Sequence, residues 1–118
     1  TFSLEGDTII NRWNDSTAKM SYQDFKDTLM NLAGYINEHK SEKLLIDANN
    51  FRFELPSENI AFRNEEFYPR ITKVGTKRQA LLLPEEYLAY VEDEVAENDM
   101  VQTRYFANET EAVDWLSS

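Results

Sequence analysis

Cysteine is absent from this sequence of 118 residues. Its absence excludes disulfide bonds, catalysis by a thiol and metal sites built on cysteine. Histidine occurs once, at His39, near the predicted end of a helix, where positive charge is favourable to the helix dipole. A catalytic or metal-binding histidine would need partners that the sequence does not place nearby. We therefore predict no metal site and no cofactor.

Glycine is also scarce, and its three residues, Gly6, Gly34 and Gly75, are scattered along the chain. This scatter excludes a phosphate-binding loop and a dinucleotide-binding fingerprint, which both need clustered glycines. The Gly-x-Ser-x-Gly pattern of a hydrolase nucleophile is missing as well. We therefore predict that the protein is not an enzyme.

Basic residues number only 12 against 22 acidic residues, so the formal net charge is −10. Such a surface repels phosphate groups, and we expect neither nucleic-acid binding nor docking on anionic lipid. No apolar stretch approaches the roughly 20 residues that a transmembrane helix needs, and no signal-peptide pattern opens the sequence. These features predict a cytoplasmic protein without a transmembrane segment.

Two continuous apolar runs, Lys43–Ala48 and Gln79–Leu83, stand out in a chain of otherwise globular composition. Runs of this length are typical of strands that are covered on both faces. Helical patterns precede, separate and follow them, which favours parallel pairing. The sequence therefore predicts one α/β domain over residues 1–118.

The first two elements have clear local signals. Gly6-Asp7 separates Phe2–Glu5 from Thr8–Trp13, as in a hairpin with a type II′ turn. A long helix follows, because Ser21 and Asp24 predict its capped start and an apolar stripe runs through Tyr22, Phe25, Leu29, Leu32 and Ile36. A close contact with a strand would account for Gly34 inside this helix.

The middle of the chain is less regular. Phe51, Phe53 and Leu55 alternate, which fits either a short edge strand or a loop held by aromatic residues. Ser57 is a predicted N-cap, and the helix after it would bury Ile60, Phe67, Ile71 and Val74. Pro69 should end or kink this helix near Tyr68, and Gly75 should stop it.

Three further elements complete the predicted order. Pro84 begins a helix that would bury Leu88, Val91 and Val95, and we interpret its acidic cluster (Glu92, Asp93, Glu94, Glu97) as a solvated face. Val101–Phe106 alternates like a half-exposed strand near an edge. Asn108 with Glu111 predicts the capped start of a last helix, which carries Ala112, Val113, Trp115 and Leu116.

Candidate site residues follow from the strand ends, because open α/β sheets bind ligands at the carboxyl ends of their strands. Asp47, Asn49 and Asn50 follow one predicted central strand, and Glu85 follows the other. Asp47 and Glu85 could form a catalytic carboxylate pair, whereas Asp and Asn at a strand exit could equally make turn hydrogen bonds. Aromatic residues around the second helix, with Arg63 and Arg70, could line a groove or belong to the core (Phe51, Phe53, Phe62, Phe67, Tyr68).

Several stretches carry a resemblance to a known family: Trp13, Phe25, Leu44–Asp47, Ala80–Leu82 and Tyr105–Leu116. In the predicted order of hairpin, helix, strand, helix, strand, helix, strand and helix, they resemble the STAS domain. This is the fold of bacterial anti-sigma-factor antagonists. The closest likeness is to its SpoIIAA-like branch, which is often described together with the CRAL-TRIO lipid-binding fold.

The resemblance implies helices packed against a mixed sheet. In phosphoswitch members, a serine in an Asp-Ser-Ser-Gly motif at a helix N-terminus is phosphorylated by the anti-sigma kinase. The nearest counterpart here is Leu55-Pro56-Ser57-Glu58, which lacks the aspartate and the glycine. The CRAL-TRIO comparison implies an apolar ligand.

We thus predict an α/β fold of the STAS (SpoIIAA-like) type, with an N-terminal β-hairpin and a mixed sheet of about four to five strands packed with about four helices. The predicted function is a non-enzymatic regulatory or protein-interaction domain. Its candidate ligand or partner surface comprises Asp47, Asn49, Asn50, Ser57, Phe62, Arg63 and Phe67.

Two alternatives stay open. The first is a domain that binds a small apolar, lipid-like ligand in a pocket between the sheet and the helix of Phe62–Tyr68. The second is a hydrolase-like or metal-dependent enzyme centred on Asp47. A protein partner or a homodimer could use an exposed edge strand, either Val101–Phe106 or the hairpin.

Overall fold

The computed structural model describes residues 1–88 and 101–118. They form a five-stranded sheet whose strand order follows the chain. The strands are β1 (Phe2–Glu5), β2 (Thr8–Arg12), β3 (Lys43–Asp47), β4 (Arg78–Leu82) and β5 (Gln102–Phe106). The α/β class and the number of strands are therefore confirmed.

Three helices of the part of the chain that the structure describes surround this sheet. The first is α1 (Tyr22–His39) and the third is α3 (Glu109–Ser117). The second, α2, is one rod over residues 59–73 that combines α-helical Asn59–Phe62, π-helical Arg63–Phe67 and α-helical Tyr68–Lys73. Short 3₁₀ turns lie at Asp15–Lys19 and Glu85–Tyr87.

The strands pair as the sequence predicts. β1 and β2 are antiparallel and joined by Gly6-Asp7, where Gly6 has a φ of +62°, the positive value that a type II′ turn needs at this position. β2, β3, β4 and β5 are mutually parallel, and β1 and β5 lie at the two edges of the sheet.

The sheet separates two apolar layers, because successive side chains on a strand point to opposite faces. On the first face, Ile9, Leu44 and Ile46 pack with the buried residues of α1 and α2. On the second face, Ile10, Leu45, Ala80 and Leu82 pack with Ala112 and Leu116 of α3. The two central strands are thus covered on both sides, as their continuous apolar runs indicated.

Helix α1 follows its sequence signals closely. The Ser21 side chain accepts a hydrogen bond from the Asp24 backbone, and the Asp24 side chain accepts one from Ser21 in return. The buried stripe contains Phe25, Leu29, Leu32 and Ile36 as predicted. The expected close contact at Gly34 is wrong, since this glycine is exposed and a Cβ there would meet nothing within 4 Å.

Pro69 shapes α2 as the sequence predicts, by distorting it. The Tyr68 N–H bonds to the Arg63 carbonyl, five residues back, so the turn directly before the proline is widened. A proline ring clashes with the carbonyl four residues earlier in a regular α-helix, and the wider π turn relieves that clash. The distortion shifts the phase of the helix by about one residue. Asn59 is therefore buried, and Ile60, expected in the core, is exposed.

The ends of α2 differ in their agreement with the sequence. The predicted N-cap Ser57 is wrong, because Ser57 lies exposed in a turn and the cap position is Glu58, without a capping side chain. Gly75 ends the helix as expected, with a φ of +112°. Its N–H bonds to the Thr72 carbonyl and that of Thr76 to the Ile71 carbonyl, which together form a Schellman motif.

Two further predictions concern the segment Phe51–Leu55 and the helix after Pro84. The alternation of Phe51, Phe53 and Leu55 forms a loop, not an edge strand. The helix predicted after Pro84 shows only its 3₁₀ start, because Val91, Val95 and the acidic cluster at 92–97 lie outside the described residues. Within 1–88 and 101–118, no helix is long and apolar enough to cross a membrane.

Candidate functional site

A cavity of about 240 Å³ lies on the first face of the sheet, between the strands, α1 and α2. Its floor consists of side chains from three parallel strands: Ile46, Gln79, Leu81 and Tyr105. Phe25 and Leu29 of α1 form one wall. The cavity thus reaches the carboxyl ends of β3 and β4, where Ala48 and Leu83 contribute to its rim.

Aromatic side chains build the mouth of this cavity. The Trp13 ring stacks on Phe25 at 5.8 Å between centroids and meets Phe51 edge-on at 5.1 Å. The loop that carries Phe51 is held in place, because the Arg52 N–H donates to Thr17 Oγ1 at 2.7 Å. Phe51 therefore covers the cavity although it belongs to no helix or strand.

Helix α2 supplies the opposite wall with Arg63, Phe67 and Tyr68. Arg63 and Phe67 are the first and last residues of the π-helical segment, where about one full turn separates them, so both side chains reach the cavity. The Tyr68 hydroxyl accepts a hydrogen bond from Gln79 Nε2 at 3.2 Å, and the same amide group donates to Thr103. A hydrogen-bonded polar pair therefore lies within a mostly apolar lining.

Arg63 is the one charged side chain among the described residues that line the cavity. Its Nε atom is buried and has no hydrogen-bond partner, and no described carboxylate forms an ion pair with it. Burial and then the charge of Glu58 raise the pKa of Tyr22, while the Arg63 charge lowers it, so these groups are near enough to interact electrostatically. A buried donor without a partner is unusual in a folded protein.

The predicted residue Asp47 belongs to a different place. Its Oδ2 accepts from Arg12 at 2.9 Å, and the same guanidinium donates to Glu109 at 2.7 Å. Its Oδ1 accepts from the backbone and side chain of Asn49, at 3.1 and 3.0 Å. These bonds to Glu109 and Asp47 raise the pKa of Arg12, although burial opposes them. Both oxygens of Asp47 are therefore engaged in structural bonds at the end of the strand.

The seven predicted site residues thus separate into groups. Arg63 and Phe67 lie together in the cavity lining, and Phe62 packs against the adjoining core. Asp47 and Asn49 bond to one another, while Asn50 and Ser57 are exposed. Within 1–88 and 101–118, no cluster of His, Asp and Glu could hold a metal ion.

A neighbouring cleft of about 360 Å³ shares Ala48, Phe51 and Leu83 with the cavity and continues past Asn49 to Pro84. It lies at the carboxyl ends of β3 and β4, where the sequence pointed to a ligand. Arg52 and Glu54 give it a polar rim. The cavity and the cleft therefore meet beneath the Phe51 loop.

Sequence reasoning found one of the inner polar residues of the site and missed another. Tyr68 is among the aromatic residues predicted to line a groove or belong to the core, and it lines the cavity, whereas the sequence marks Gln79 only as the start of a strand. A further miss is Asn11, whose buried side-chain amide has no partner for either polar atom. A polar residue directly after the apolar pair Ile9-Ile10 is the signal that could have indicated it.

No protein-family model, no curated protein and no solved structure matches this chain. Only the geometry of the molecule therefore bears on its function.

Proposed function

We propose that this chain is a non-enzymatic domain that binds a small apolar ligand in the cavity between its sheet and α2. The observation that carries the proposal is the cavity itself, formed by six aromatic side chains, aliphatic side chains and few polar groups. Ligand pockets in proteins have this composition, with a small number of placed polar groups. The cavity also lies at the carboxyl ends of parallel strands, where α/β sheets bind their ligands.

The proposal includes a fold of the STAS type. Its support is the order of hairpin, helix and strands, with consecutive parallel strands adjacent in the sheet and helices on both faces. The cavity reverses the preference that the sequence suggested, because a mostly apolar pocket between the sheet and α2 is what the ligand-binding hypothesis requires. A regulatory role would then be exercised through the bound ligand.

The chain offers its own reporter for a test. It contains two tryptophans, of which Trp13 lines the cavity and Trp115 packs with Phe106 against the opposite face of the sheet. In a Trp115→Phe variant, titration with octanol, a neutral apolar probe, should change the Trp13 fluorescence until it saturates. Ala48→Phe in the same background adds a ring to the lining and should weaken this binding.

The matched control is a Trp13→Phe variant, in which Trp115 is the remaining tryptophan. Octanol should leave its fluorescence unchanged, because Trp115 lies in the other apolar layer. A response that never saturates, or one of equal size from both tryptophans, would contradict a specific site in the cavity.

A protein-interaction role is a second candidate, and the exposed edge strand β1 favours it. Among the described strands β1 pairs only with β2, and Leu4 on this strand is 41% exposed. Unpaired edge strands can add a strand from a second chain. If two copies pair through β1, sedimentation velocity should show a dimer that Leu4→Lys converts to monomer. A monomer at every concentration tested would contradict the homodimer hypothesis.

A further inference from the structure

We propose that the ligand of this cavity carries one carboxylate on its apolar body and that Arg63 binds this group. The inference rests on the proposed function and adds the charge class of the ligand. Its basis is the guanidinium itself, which lines an apolar cavity with a buried Nε that lacks any partner. A buried polar group normally finds a hydrogen bond, so a missing partner points to a missing ligand.

Arg63 differs from every other arginine of the chain. The other five each have a partner: Arg12 with Asp47 and Glu109, Arg52 with Asn49 and Asp15, Arg70 with Glu66, Arg78 with Trp115 and Ser118, and Arg104 with the rings of Phe106 and Trp115. The chain has 22 acidic residues against 12 basic ones, so acidic partners are abundant. Arg63 has none among the described residues, so its charge is available to a ligand.

The chemistry of the group selects the ligand. A guanidinium presents a planar fork of donors that matches the two oxygens of a carboxylate, and an ion pair of this kind is strong where water is excluded. Most of the remaining described lining is apolar, and the polar groups of Tyr68 and Gln79 are hydrogen-bonded to one another. The ligand is therefore an amphipathic acid with one charged end.

The size of the space limits the apolar body. A volume of about 240 Å³ is below the roughly 300–1,000 Å³ of pockets that take drug-sized ligands. A carboxylic acid with a chain of medium length fits this volume better than a long-chain lipid. Octanoate is accordingly the probe of choice, and octanol is its neutral counterpart.

The experiment compares these two probes by Trp13 fluorescence in the Trp115→Phe background. Octanoate should bind at least about tenfold more tightly than octanol, because only octanoate can form a charged pair with the guanidinium through two oxygens, whereas the octanol hydroxyl accepts a neutral hydrogen bond. Arg63→Gln should weaken the binding of octanoate by at least about tenfold and leave the binding of octanol unchanged. Arg70→Gln is the matched control on the same helix, since Arg70 is exposed and pairs with Glu66 outside the cavity.

The outcomes separate the inference from the function on which it rests. If octanol binds and octanoate binds no more tightly, the charge inference is overturned while the apolar site remains. If neither probe binds, the proposed function itself fails. The comparison of the two probes on the Trp115→Phe protein needs no change at position 63, so it stands even if Arg63→Gln does not fold.

Discussion

At the scale of single residues, Arg12 shows how one side chain can connect distant parts of this chain. Its guanidinium bonds to Asp47, 35 residues away, and to Glu109, 97 residues away. It therefore ties the ends of β2 and β3 to the start of α3. The bonds to Glu109 are the larger cause of the raised pKa of Arg12, but Glu109 is more exposed, and water screens its charge more strongly.

Asp47→Asn should accordingly destabilise the fold more than Glu109→Gln. The Asp47 side chain is 17% exposed and that of Glu109 is 45% exposed. We expect a loss of about 1 kcal/mol in unfolding free energy for Asp47→Asn and less than about 0.5 kcal/mol for Glu109→Gln. Urea denaturation of both variants measures the difference. Equal losses would show that the partly buried Arg12–Asp47 pair contributes no more to the unfolding free energy than the exposed Arg12–Glu109 pair.

Gly34→Ala should stabilise the protein. Gly34 is exposed within α1 and has free space where a Cβ would stand, so alanine meets no obstacle. Glycine inside a helix is less favourable than alanine by about 0.5–1 kcal/mol, and the unfolding free energy should rise by that amount. Chemical denaturation checks the value. A loss of stability would mean that α1 needs the glycine for a reason the geometry does not show.

Gly75→Ala is the matched control, for which we expect a loss of stability instead of a gain. Space is also free around Gly75, but its φ of +112° is a conformation that L-residues rarely adopt. This variant should lose at least about 1 kcal/mol. The two glycines together separate backbone conformation from steric contact, because neither Cβ would clash.

At the scale of elements, α2 determines the composition of the candidate site. Its π turn lies directly before Pro69, and the resulting shift buries Asn59 in place of Ile60. The same turn carries Arg63 and Phe67 to the cavity. π turns recur at functional sites in other proteins, and here the turn has a local cause in the proline.

Helix α3 offers a clean comparison of its two sides. Leu116 is 1% exposed and packs against the sheet, whereas Val113 on the same helix is 40% exposed. Leu116→Ala should lower the unfolding free energy by about 2–4 kcal/mol, and Val113→Ala by less than about 0.5 kcal/mol. Thermal and urea denaturation would measure both. Similar values for the two variants would mean that α3 does not close the second apolar layer.

At the scale of the whole molecule, ligand binding should increase the stability of the fold. A ligand that binds the folded state alone, at a concentration one hundred times its Kd, adds about 2.7 kcal/mol to the unfolding free energy. Octanol should therefore raise the Tm of the unaltered protein in a concentration-dependent way. The Ala48→Phe variant should show a smaller rise at the same octanol concentrations. A falling Tm in both proteins would indicate general denaturation by the alcohol.

Much of the fold follows from signals that act over a few residues. The Ser21–Asp24 capping pair, the stripe from Phe25 to Ile36 and the Gly6-Asp7 turn each depend on near neighbours, and each prediction is confirmed. The apolar runs predicted two parallel central strands for the same reason. Ser57 is not the N-cap because the helix begins one residue later than predicted, after Glu58. At this start the Asn59 side chain donates a hydrogen bond to the Pro56 carbonyl.

The sequence by itself determined the five strands, the parallel pairing of the central two, helices α1 and α3 and the absence of cysteine chemistry, since periodicity and turn residues are local properties. Only the tertiary structure decided which side chains meet in the cavity. Trp13, Phe25, Phe51 and Arg63 come from four separate segments, and no local pattern relates them. The missing partner of Arg63 is likewise a tertiary fact, because it depends on where every acidic side chain near it lies. Contacts of this kind arise from the packing of the folded chain, and this is why the candidate site appears only there.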